Sequence, residues 1–338
     1  MTEPTAAPVE PKGWRAAAER VMPFARRVPV LRRIAAWRDG AVELQAVRPE
    51  SERLARLVAH YESQLFVVPG HFYSPSPDLD DLNRRHGEIF RHGRVPLPGV
   101  DLNEEAQVAL LDELAPLAAE IGLPEQSVND WRYHSDNEGF GPADGITLAS
   151  VLRLWQPSRY VEIGSGWTSA LALDINDHFL DGAMKTTFID PYPERLLGLL
   201  RPEDHDRAEI RVEPVQAIDL AVFDVLGPGD VLFIDSTHVA RTGGDVVHDV
   251  FTILPRLASG VRVHFHDMFY PFEYPAAWVF EGRAWNELYL IRALLSDSTR
   301  YRIALWPSML SVLHTDRLAA ALPTAMPYGG GSLWLEVR

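Results

Sequence analysis

Five short apolar runs in the second half of the chain constrain its fold more than any other feature: "RYVEIG", "KTTFID", "AEIRVEP", "DVLFID" and "VRVHFHD". None alternates cleanly between apolar and polar residues, as a strand with one wet face would. They read as strands buried on both faces, the pattern of a parallel sheet. Helical stretches such as "TSALALDINDHFL" and "VHDVFTILPRLAS" separate them. This alternation predicts an α/β domain with a doubly wound, mostly parallel sheet. In such sheets ligands bind beyond the carboxyl ends of the strands. Those ends are where this chain collects its titratable residues.

The first half has a different rhythm. Residues 1–12 are rich in Pro, Ala and Glu and are expected to be disordered. Residues 13–130 form a mainly helical N-terminal region, with apolar residues at helical spacing in "SERLARLVAHYESQL" and "NEEAQVALLDELAPLAAEIG". Between these lies a Pro- and aromatic-rich stretch, with a candidate lid loop at residues 66–78. The α/β domain is expected over residues 131–338.

Composition excludes several functions. The chain has no cysteine, so disulfides and thiolate metal sites are ruled out. Its net charge of −15 argues against general affinity for nucleic acid. No apolar run is long enough to span a bilayer. The start, "MTEPTAAPVEPKGW", lacks the basic-then-apolar order of a secretory signal, so a cytoplasmic protein is expected. Residues 1–40 hold eight Lys and Arg against four acids, which leaves the rest of the chain at −19. The basic stretch at residues 13–38 mixes Arg with Val, Leu, Ile and Trp; it suits either a membrane surface or the chain's own acidic domain. The oligomeric state stays open.

"YVEIGSGWTSALAL" reads as a strand, a Gly-x-Gly turn and a helix. Gly164 and Gly166 let a ligand approach the backbone closely. The helix start offers free N–H groups, with Thr168 or Ser169 available to cap it. The next strand ends in Asp190, a carboxylate suited to the two hydroxyls of a ribose. A nicotinamide enzyme usually carries a third glycine three positions after the second, and here that position is Ser169. Glu162, just before the turn, also sits poorly beside a pyrophosphate and well beside an ammonium group.

"VEIGSGWTS", followed by "FIDPYP" and "DVLFIDSTH", resembles the class I S-adenosylmethionine-dependent methyltransferases over roughly residues 146–270. The resemblance implies a Rossmann-like fold and S-adenosylmethionine as cofactor. It implies that Gly164, Ser165 and Gly166 pass under the methionine part, with Glu162 near its amino group. It implies that Asp190 holds the ribose, that Gln216, Ala217, Ile218 and Tyr192 surround the adenine, and that Asp235 borders the cofactor.

The fourth strand runs to Asp235, with His238 three residues on, and the fifth runs to His266 and Asp267. Neighbouring strands would bring all four to one mouth. A histidine with a pKa near neutrality could take a hydroxyl proton as the oxygen attacks a methyl carbon. A divalent metal could instead acidify the hydroxyl. Asp235–Ser236–Thr237–His238 resembles the Asp-x-x-His element of metal-dependent O-methyltransferases, including those acting on macrolide sugars. That resemblance implies His238 as base, with Asp235 and His266 as further catalytic candidates. Asp235 on one strand and the adjacent His266 and Asp267 on the next would make an open site for Mg, Mn or Fe, or hold no metal. The family's second metal element is an acidic pair, whereas this chain has His266–Asp267.

"MFYPFEYPAAW" follows as an aromatic loop over the strand ends, expected to screen the site from water and to meet substrate through Tyr270 and Phe272. "HFYSPSPD" has similar composition, and Tyr73 or His71 is expected to touch substrate from a lid. The expected function is O-methylation of a small molecule or a sugar-bearing natural product. A nicotinamide oxidoreductase and a non-catalytic binding protein with a retained cofactor fold are the alternatives.

Overall fold

A computed structural model describes residues 49–338 other than 62 and 64. Residues 1–12 and the basic stretch at 13–38 lie outside the described residues, so both expectations for them stand as made. The described residues fall into two compact units, divided between Ser74 and Pro75. In the first, residues 49–61 are helical and exposed. The rings of His71 and Phe72 then stack with centroids 4.2 Å apart, and Tyr73 lies tilted against Phe72 at 4.3 Å.

The second unit is built on one seven-stranded sheet in the order β3-β2-β1-β4-β5-β7-β6. The strands are β1 Arg159–Ile163, β2 Lys185–Ile189, β3 Ala208–Arg211, β4 Val231–Ile234, β5 Arg262–Phe265, β6 Tyr301–Leu305 and β7 Leu333–Val337. The first five correspond to the five apolar runs and pair in parallel. The last two were not expected from the sequence. They pair antiparallel, β7 between β5 and β6.

Burial explains why the central strands do not alternate. All four residues of β4 are buried, and Tyr160, Phe188, Phe233 and Phe265 fill the space on either side of the sheet. Each such ring contributes roughly 1.5–3 kcal/mol by leaving water. His264 belongs to this core. It lies flat on Phe233 at 3.7 Å, hydrogen-bonds Ser332 Oγ through Nε2, and is held neutral by burial. The helix Pro142–Trp155 packs between the helices Glu104–Ala119 and Trp167–Phe179, so nine of its consecutive residues, 144–152, are buried. A buried Arg132, ion-paired with Asp174, Asp177 and Asp204, pins the segment before this helix to the helix Trp167–Phe179.

Strand β1 has β2 on one side and β4 on the other. The winding reverses there, which opens a crevice at the carboxyl ends of the strands. Among the described residues, no helix is long and apolar enough to cross a membrane.

Candidate active site

The crevice is shaped first by Gly164. Its φ is 83°, and a Cβ built there would lie 1.8 Å from the carbonyl oxygen of Asp235. Only glycine permits that approach, so the turn after β1 and the end of β4 share one wall. Their backbones are locked to neighbours: Gly164 N–H donates to Ile189 and Asp235 N–H to Ile163. Ser169 Oγ accepts the Gly166 N–H at 3.1 Å and caps the following helix.

Two carboxylates flank the turn. Asp190 accepts the N–H and hydroxyl of Ser165, each at 2.9 Å, and the N–H of Tyr192 at 2.8 Å. Glu162 is fully buried in β1. Its Oε1 accepts the Thr168 hydroxyl, but its Oε2 has no partner. Burial pushes its pKa up to about 8. A buried acid with an unpartnered oxygen beside a glycine turn is the feature an ammonium-bearing ligand would satisfy.

The adenine candidates are placed less uniformly. Gln216 and Ala217 are exposed, with Gln216 donating to the Gly243 carbonyl, and Tyr192 is 78% exposed. Ile218 is buried in the core. A buried side chain presents no surface to a ring, so only the backbone of Ile218 remains available to one.

Strands β4 and β5 are neighbours, and their ends do bring the four titratable residues together. His238 is 5% exposed. Its Nδ1 lies 2.9 Å from Glu287 Oε2, and its Nε2 lies 3.4 Å from both Asp235 Oδ1 and Asp267 Oδ2. The indole of Trp285 covers the ring, with centroids 4.6 Å apart. Both His238 and Asp267 have φ of 58°, a backbone conformation uncommon outside glycine and concentrated at functional sites. Burial alone would lower the His238 pKa, but the hydrogen bonds and charges of Asp235 and Glu287 outweigh it and raise it to about 10. Ligand-free, the ring is an imidazolium at neutral pH.

His266 faces the same carboxylates. Its Nδ1 is 3.4 Å from Asp235 Oδ1 and 3.5 Å from Asp267 Oδ1, while Nε2 is 3.7 Å from Asp144 Oδ2. Despite burial, the charges of Asp235 and Asp267 raise its pKa well above the ordinary histidine value. Asp235 is correspondingly held below its usual range: burial opposes this, and the His266 and His238 cations prevail. Two imidazoles thus sit between carboxylates as ion pairs. Among the described residues, no group of three or more His, Asp or Glu is arranged to hold a metal ion. The expected set Asp235, His266 and Asp267 does converge, with the His266 imidazole ion-paired between the two carboxylates.

The substrate candidates divide. Tyr270 lines a cavity, although its hydroxyl is tied to the Val95 backbone. Phe272 is 1% exposed and packs on Trp306 at 4.5 Å, so it is core, which corrects the expectation that it meets substrate. Tyr73 is exposed and belongs to the first unit.

Glu287 is not among the site residues expected from the sequence. It opens the helix Glu287–Leu295, whose buried residues are Glu287, Leu288, Ile291 and Leu295. An acid at positions i, i+4, i+8 with Ile291 and Leu295 lies on the apolar face, and that spacing was the available signal. Asp144, in the first turn of the helix Pro142–Trp155, gave a weaker one. It accepts the Gly331 N–H and the Ser332 hydroxyl and faces His266.

A family model described as a methyltransferase domain matches residues 161–268, from β1 through the His266–Asp267 pair. An uncharacterized protein of Archaeoglobus fulgidus is 34% identical over 163 residues, covering 47% of this chain and 72% of the relative. The domain at residues 161–268 belongs to the class I S-adenosylmethionine-dependent methyltransferase family. Among solved structures, the methyltransferase resembles an SAH-bound methyltransferase of Podospora anserina at 14% identity, with 80% of this chain and 98% of that one covered and a TM-score of 0.38. It also resembles a methyltransferase from Geobacter sulfurreducens at 18% identity, with 71% and 98% covered and a TM-score of 0.33.

Proposed function

We propose that this methyltransferase binds S-adenosylmethionine at the β1 turn and methylates a hydroxyl of a small molecule, with His238 as the base. The residues around the turn support the cofactor reading: Glu162 Oε2 is buried without a partner, and Gly164 lets the turn close against the end of β4. Glu162 would take the ammonium, Gly164, Ser165 and Gly166 the methionine part, and Asp190 the ribose hydroxyls. Tyr192, Gln216, Ala217 and the backbone of Ile218 would border the adenine, and Asp235 the rim between cofactor and base. When bound, the cofactor supplies a methyl carbon made electrophilic by its sulfonium.

His238 takes the acceptor's hydroxyl proton at Nε2 while Glu287 holds Nδ1–H. With the cofactor bound, the oxygen's electron pair would form the new C–O bond and the S–C pair would remain with the departing sulfur. In the ligand-free site Nε2 already carries a proton, because Asp235 and Glu287 hold the ring cationic. Placing positive charge beside Asp235 weakens that hold and lowers the pKa of His238 towards neutrality. His266 contributes a fixed positive charge between Asp144, Asp235 and Asp267.

The observation that carries the reading is the His238 ring, held by Glu287 with Nε2 at Asp235, the residue whose carbonyl abuts Gly164. The test is calorimetric titration with S-adenosylhomocysteine and with NAD, followed by methyl transfer to a panel of hydroxylated acceptors. Binding of the first alone, with transfer lost in His238→Ala, supports the reading. Transfer that survives in His238→Ala would sink the base assignment.

A further inference from the structure

The segment that follows Asp267 does more than cover the strand ends. It forms one wall of a cavity of about 560 Å³. Phe269, Tyr274 and Trp278 come from this segment, and Phe90, Arg91 and Tyr328 from elsewhere in the same unit. The lining is mainly apolar and aromatic, the usual composition of a small-molecule site. Its volume suits a ligand of two to four fused rings.

Its polar groups are unevenly signed. Arg91 is exposed at the cavity, and its Nε donates to the Glu88 carbonyl. Among the described residues, its guanidinium has no carboxylate partner, in a chain with net charge −15. Glu273 is the one carboxylate of the lining, and its Oε1 is occupied by the Tyr289 hydroxyl and the Tyr274 N–H. The two donors on Glu273 are neutral and leave its charge in place, while Arg91 is the side chain of the lining that can bind an acidic group, over a floor of rings.

The cavity is mechanically joined to the base. Trp278 packs edge-on against Trp285 at 5.4 Å, and Trp285 lies on His238. The Tyr274 hydroxyl accepts the N–H of Leu288, the residue after Glu287. A molecule filling the cavity would press on the elements that hold the His238–Glu287 pair.

We propose that this cavity recognises the body of the methyl acceptor, and that the acceptor is a planar ring system bearing a carboxylate. Stacking on Phe269, Trp278 and Tyr328 would hold the rings, and Arg91 would bind the carboxylate through its paired N–H donors. The proposal rests on the methyltransferase reading for its meaning, but its binding test does not.

The test uses 2-naphthoate as the anionic probe and 2-naphthamide as its neutral partner, titrated calorimetrically against the full chain and three variants. Arg91→Gln is expected to weaken 2-naphthoate about tenfold, the ordinary size of one lost charged hydrogen-bond pair, and 2-naphthamide less than about twofold. Ala276→Trp and Val312→Trp, which fill the cavity from two sides, are expected to abolish both. S-adenosylhomocysteine binding, measured on every variant, reports that each is folded. Failure of the wild type to bind 2-naphthoate would overturn the proposal, as would equal binding by Arg91→Gln or undiminished binding by both tryptophan variants. Absence of S-adenosylhomocysteine binding in the wild type would instead count against the methyltransferase reading, whatever the naphthalene probes do.

Discussion

The imidazole of His238 and the carboxylate of Glu287 face each other at 2.9 Å in a site where both are almost wholly buried. An ionised carboxylate only accepts, so Nδ1 carries the proton and Nε2 is the nitrogen left for chemistry. That pairing orients the ring towards Asp235 and Asp267 and away from the core.

Glu287→Gln tests the orientation. A glutamine amide can donate to Nδ1 and trap the tautomer in which Nε2 holds the proton. We expect kcat to fall roughly 10²-fold, with S-adenosylhomocysteine affinity changed less than about twofold. His238→Ala should lose about 10²- to 10⁴-fold in kcat, again with cofactor affinity retained. Loss of cofactor binding in either variant would assign the pair a structural role instead.

The pH dependence follows from the raised pKa of His238. Its pKa is about 10 in the free protein against 6.5 unperturbed, so the base form grows as pH rises. We expect kcat/KM for the cofactor, which reports the free protein, to climb with pH across the alkaline range, and the climb to disappear in His238→Gln. Stability should run the other way. The protonated ring contributes stability that is fully present below about pH 6.5 and lost as pH rises through about 10. Urea denaturation of wild type and His238→Gln should therefore converge towards alkaline pH.

Glu162 makes a second, separable prediction. Its folded pKa of about 8 lies above the ordinary 4.5, so the folded protein holds a proton that the unfolded chain releases. This group therefore costs stability increasingly as pH rises from 4.5 towards 8. Glu162→Gln should melt at an equal or higher temperature than wild type at pH 8, yet bind S-adenosylhomocysteine at least about tenfold more weakly. A variant that melts higher and binds as well as wild type would remove the ammonium role.

Gly164→Ala should be among the most damaging single changes. The added methyl would overlap the Asp235 carbonyl at 1.8 Å, at a φ of 83°. We expect a loss of about 3 kcal/mol or more, read by urea denaturation. Gly243→Ala, at a φ of 71° but with nothing within 4 Å, should cost less.

Much of this was legible in the chain because the five parallel strands are buried on both faces, and such runs announce themselves. Strands β6 and β7 did not. "YRIAL" and "LWLEV" are short, and their pairing with each other and with β5 depends on contacts far away in sequence. The convergence of Asp235, His238, His266 and Asp267 was readable once β4 and β5 were taken as neighbours. What those residues do to one another was not, because an imidazole between carboxylates and an imidazole binding an ion share one sequence. Phe272 illustrates a different limit. A loop has no period, so nothing in "MFYPFEYP" tells which rings turn inward and which line a cavity.

The most direct test is a crystal structure of the full chain with S-adenosylhomocysteine. The account predicts the ligand's amino group against Glu162, its ribose against Asp190, and its sulfur within about 7 Å of His238 Nε2, room for one methyl and one hydroxyl oxygen between them. A ligand bound with its sulfur pointing away from His238, or the β1 turn left without ligand, would contradict it.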